Sequence, residues 1–135
     1  MTLKPRETEF LQLTRELLDS DQVRMMGRWR HHGPVTTLDH SLFVAYNAYR
    51  AARLLRLDVR AAARNAAGLT DLSDKERNII LSHMWPLGGA FPRSWEAWLV
   101  DLVDTVCAAL ELTRIYRPSR LRERLGVRPL APLPA

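Results

Sequence analysis

Four histidines and fifteen acidic residues are the main material from which catalysis could be built in this 135-residue chain. It has no glycine-rich phosphate loop, no Cys-x-x-Cys pair and no Gly-x-Ser-x-Gly elbow. Three polar residues fall in apolar surroundings on three separate stretches. His40 lies in the first turn of a long apolar segment, and His83 follows Ile79 and Ile80 by one helical turn. Asp104 has Ala97, Val100, Cys107 and Ala108 as helical neighbours. Burying an imidazole or carboxylate without a partner costs several kcal/mol, so such a group meets a hydrogen-bond donor, an opposite charge or a metal. Taken singly, each is read as a satisfied structural group, and Asp104, opposite Trp95, Trp98 and Leu102, has a solvent-facing reading too. Only the three together, on three helices, raise a metal site. The single cysteine, Cys107, can form no intrachain disulfide and reads as a small core residue.

These residues need helices to carry them. Pro5 opens a segment in which Phe10, Leu13 and Leu17, with Leu11 and Leu18, keep amphipathic spacing to about Asp19. A short helix capped by Asp21 follows, with Val23, Met25 and Met26 apolar, and residues 27–34 read as a loop. Thr36 or Thr37 caps a helix to about Leu55, with Asp39 placed as in a capping box. One stripe of that helix is Leu38, Leu42, Ala45, Tyr49 and Ala52. His40, Val44, Asn47 and Ala51 form a second that should face something polar. Asp58 caps an alanine-rich helix to Gly68, and Ser73 with Glu76 opens one through His83 that must stop near Pro86. Ser94 caps the last long helix, with Trp95, Trp98, Leu99, Leu102, Val103, Val106 and Leu110 at helical spacing. No alternating strand pattern is visible, so the fold class is all-α, a compact helical bundle.

The stretches Arg30-His31-His32-Gly33, Thr37-Leu38-Asp39-His40-Ser41, Val44-Ala45-Tyr46 and Ala51-Ala52-Arg53-Leu54 resemble the opening of a bacterial HD-domain protein. Ser82-His83-Met84-Trp85-Pro86-Leu87 resembles that family's later histidine segment, and Leu102-Val103-Asp104-Thr105-Val106-Cys107 its closing aspartate helix. The likeness spans roughly residues 28–112, in order. It implies a helical bundle of the HD type whose core holds one or two divalent metals, Mn, Fe, Co, Zn or Mg, and whose metal-bound water attacks a phosphoester. By the same resemblance His40 is the first ligand of that site, Asp104 the last and His83 a ligand of a second ion. Arg30, His31 or His32 at the mouth would neutralise phosphate oxygens. The chain departs from the family where Ala66-Ala67-Gly68-Leu69 runs into Ser73-Asp74-Lys75-Glu76, so that the His-Asp doublet and its following section are missing. Thr70-Asp71 either stands where the doublet belongs, making Asp71 a third ligand beside His40 and Asp104, or is simply a loop.

The length suits one domain with its own core, read here as an HD-like domain over 1–113 and a basic tail over 114–135. The net charge of +5 is concentrated at Arg114, Arg117, Arg120, Arg122, Arg124 and Arg128, which points to a short solvated helix and a disordered end rather than a nucleic-acid surface. No signal-like or membrane-length apolar run occurs, which gives the expectation of a cytoplasmic protein with no membrane partner. The leading function is hydrolysis of a small phosphoester, a nucleotide being one candidate. The alternative is a non-catalytic HD-like scaffold that binds a partner. Loss of the internal section would expose apolar surface and could favour a homodimer.

Overall fold

The computed structural model describes residues 2–32, 34–64 and 91–131, with the backbone alone at 31 and 32. The chain is mostly helical, as its periodicity predicts. Helix α1 is Pro5–Leu18, α2 Asp21–Met25, α3 Thr37–Leu55, α4 Val59–Ala63, α5 Trp95–Leu112 and α6 Pro118–Leu125. A single 3-10 turn, Met26–Arg28, follows α2.

Most helix starts follow the sequence signals. Pro5 occupies the first turn of α1, where its missing N–H costs nothing. The side chains of Thr36, Asp58 and Ser94 accept from the backbone N–H of Asp39, Ala61 and Ala97, each satisfying a donor that the first turn leaves free. Two expectations are corrected. The cap of α2 is Ser20, whose hydroxyl accepts from Val23 N–H, so Asp21 is the first helical residue instead. The stretch read as a loop contains a short strand, β1 (Arg30–His32), which pairs antiparallel with β2 (Val35–Thr36) just beyond it, with an irregular register. Two and three residues are too short to show alternation, so only the pairing reveals them.

Helix α3 is the centre of the bundle and packs on α4, α5 and α6. Its expected inner stripe is closed to water: Leu38, Leu42, Ala45, Tyr49 and Ala52 are all 2% exposed or less. Alanines dominate the neighbouring surfaces, with Ala48 and Ala52 on α3, Ala61 to Ala63 on α4 and Ala97 on α5 all buried. Small side chains let helix axes approach closely. On the other side Phe10 of α1 meets Tyr46 edge-on at 5.2 Å.

Helix α5 is turned differently from the simplest reading of its sequence. Its wide aromatic stripe faces outward, with Trp95 77%, Leu102 61% and Val106 49% exposed. Ala97, Val100, Cys107 and Glu111 are buried instead. The inner side is the one that carries the small residues Ala97, Val100 and Cys107.

The basic C-terminal stretch is corrected as well. It is seated on the bundle: Leu121, Leu125 and Val127 are buried, Arg122 pairs with Asp39 at 2.5 Å and Arg124 with Glu7 at 2.5 Å. Gly126 ends α6 in the left-handed conformation (φ 71°) that glycine adopts without strain. The chain then runs back along α2, where Leu130 N–H donates to the Arg24 carbonyl and the Arg28 side chain donates to that of Ala131. Pro129 sits so close to Gly27 that a Cβ there would collide with it.

Candidate functional site

The second stripe of α3 meets what the sequence says it needs. His40 comes from the first turn of α3, and Asp104 and Glu111, seven residues apart, come from one face of α5. Nε2 of His40 lies 2.8 Å from Asp104 Oδ1, and Nδ1 lies 2.7 Å from Glu111 Oε2 and 2.8 Å from Oε1. The imidazole is thus held edge to edge between two carboxylates. Its side chain is 8% exposed, that of Asp104 15% and that of Glu111 0%.

Ionised carboxylates only accept, so both ring nitrogens carry protons and the ring is an imidazolium. Burial pushes His40 toward the neutral form, but hydrogen bonds and charge from Asp104 and Glu111 outweigh it and hold the group at about 9. The same carboxylates act on Cys107, one turn from each. Burial first, then Glu111 and Asp104, raise its thiol to about 12. Cys107 is a core residue, as expected.

Two of the residues picked out by the sequence therefore meet, and the solvent-facing reading of Asp104 is set aside by its bond to His40. His83 and Asp71 lie outside the described residues. Arg30 is exposed on β1 at the rim of a cleft beside Glu111, and the side chain of His32 is among those not described. Glu111 is the residue the sequence reading missed. Its signal was available: Ala97, Val100, Asp104, Cys107 and Glu111 recur at intervals of four and three, a stripe that places the glutamate with Asp104.

His40 and Asp104 are residue types that ligate divalent metals, although Nε2, hydrogen-bonded as it is to Asp104, carries a proton that it would first have to release. An imidazole and a carboxylate meeting at Nε2, with a second carboxylate fixing the ring through Nδ1, is the chemistry of a braced histidine ligand. The number of donors is smaller. Among the described residues no group of three or more His, Cys, Asp or Glu could hold an ion, because Asp104 and Glu111 face opposite edges of one ring. Comparison with protein-family models, curated proteins and solved structures finds no match. Among the described residues no helix is long and apolar enough to cross a membrane.

Proposed function

We propose that this chain is an HD-type, divalent-metal-dependent phosphohydrolase acting on a small phosphoester. The observation that carries the reading is the meeting of His40 Nε2 and the Asp104 carboxylate at 2.8 Å across two helices far apart in sequence. Support also comes from the Glu111 carboxylate behind the ring, which fixes the orientation of His40 as second-layer carboxylates do for histidine ligands. In this reading His40 gives up its Nε2 proton and offers that nitrogen, and Asp104 offers one oxygen. His83 and Asp71 are the further candidate donors; Arg30 lies on the Glu111 side of the ring, away from Asp104, and takes no part in this site. A bound Mn, Fe, Co, Zn or Mg ion would supply Lewis acidity and a water acidic enough to give hydroxide near neutral pH.

The second reading, a non-catalytic scaffold of the same fold that acts by binding, is favoured by one observation: His40 is satisfied at both nitrogens by the protein itself. One experiment separates the two. Protein purified without chelator is analysed for bound metal and assayed for phosphate release from p-nitrophenyl phosphate and nucleoside monophosphates with added Mn. The hydrolase reading expects a bound ion and turnover, both lost in Asp104→Asn. A folded protein with no ion and no phosphate released leaves the scaffold reading standing.

A further inference from the structure

A cleft of about 860 Å³ opens on the Glu111 side of His40, between β1, the end of α5 and the start of α6. Its size is that of a small-molecule site. Arg30, Arg114 and Arg117 line it, the first from β1 and the other two from the connection between α5 and α6. Among the described residues no side-chain hydrogen bond or ion pair holds any of the three guanidiniums, whereas the two acids in the wall are already engaged, Asp39 by Arg122 and Glu111 by His40. The recess therefore carries uncompensated positive charge in a partly enclosed setting, where a planar guanidinium binds phosphate oxygens in pairs. Val35, Leu112 and Tyr116 supply the apolar part of the remaining wall, beside Ser119.

We propose that this cleft binds a small organic di- or triphosphate, its charged end on Arg30, Arg114 and Arg117 and its organic end against Val35, Leu112 and Tyr116. The site lies behind the imidazole, on the Nδ1 side, and does not depend on a metal at Nε2. It thus gives the protein a ligand under either reading of its function.

The probe is ADP, titrated calorimetrically into the full chain at physiological salt with EDTA present, beside pyrophosphate as a probe of similar charge without the organic group. ADP is expected to bind and pyrophosphate to bind more weakly. Arg117→Ala and Arg114→Asn each weaken ADP roughly tenfold or more, as expected for losing a charge-assisted contact. Arg114 has φ 58°, a conformation asparagine tolerates, and Arg117 makes no cap bond with its side chain, so both variants keep the fold. Arg120→Ala removes the same charge from α6 outside the cleft and leaves ADP affinity unchanged. The proposal is overturned by absence of ADP binding at about 1 mM, which marks only very weak affinity. Equal affinity for pyrophosphate overturns it, as does an Arg120→Ala loss as large as that of Arg117→Ala. Co-sedimentation with phosphatidylglycerol vesicles in the absence of ADP binding would assign the arginines to a lipid surface instead.

Discussion

At the scale of single residues, the ring of His40 is where this protein concentrates its electrostatics. One imidazolium faces two carboxylates, one of them wholly buried, so removal of any member leaves the others uncompensated. Glu111→Ala strips Nδ1 of its acceptor and is expected to cost about 3 kcal/mol, read as a fall in the urea midpoint with unchanged slope. Glu111→Gln keeps an acceptor at Nδ1 and should cost less. A loss from Glu111→Ala no larger than from an exposed surface substitution would contradict the buried clamp. Cys107 tests the same environment chemically. With its thiol near 12 and its side chain buried, it is expected to react with a disulfide reagent at pH 8 far more slowly in the folded protein than in urea. Rapid labelling of the folded chain would place Cys107 on the surface.

At the scale of elements, α5 shows which part of the pattern was readable. Its caps, its extent and the polar stripe of α3 that faces it follow from local signals, since a hydroxyl before an apolar run and a period of three to four residues are intrinsic to the segment. Which side of α5 turns inward is not intrinsic. Both sides are largely apolar, and the alanine-rich surface of α3 selects the narrow one, Ala97-Val100-Cys107, over the indoles. Val100→Ala should therefore cost about 2 kcal/mol, while Trp95→Ala stays within roughly 0.5 kcal/mol. Equal costs, measured by thermal unfolding, would mean that both sides are packed.

The link between α1 and α6 makes a pH-dependent contribution of definite sign. The Arg124 guanidinium holds Glu7 below its ordinary value of 4.5 against the opposing effect of burial, with Lys4 assisting. A depressed carboxyl stabilises the fold above its unfolded value and loses that contribution as pH falls through its folded one. Arg124→Gln is expected to lower stability at neutral pH and to move the acid-unfolding midpoint, followed by circular dichroism, to higher pH. An unmoved midpoint would mean that the pair is solvent-screened.

At the scale of the whole molecule, the charge balance of +5 is a poor guide, because the arginines that produce it do different work. Arg122 and Arg124 are pinned to Asp39 and Glu7, whereas Arg114 and Arg117 have no pairing partner among the described residues. Composition reports the sum and hides this division, which is why the C-terminal stretch reads as a solvated tail in sequence and is a seated helix in the fold. The leucines at 121 and 125 carried the contrary signal, four residues apart among arginines, but one short apolar edge does not reveal its partner. The partner is the surface of α3, which lies close to α6, and residues 128–131 are fastened to α2 by Arg24 and to the 3-10 turn after it by Arg28. A chain ending at Arg117 would uncover that surface and forfeit the burial of Leu121, Leu125 and Val127. At about 1.5–3 kcal/mol for each such side chain, the loss approaches the whole stability of a domain this size. The shortened chain is expected to melt more than about 10 °C lower or to fail to fold, with loss across the whole helical signal. A melting curve that overlays that of the full chain would mean that residues 118–131 are the loose appendage their composition suggests, and that the bundle closes without them.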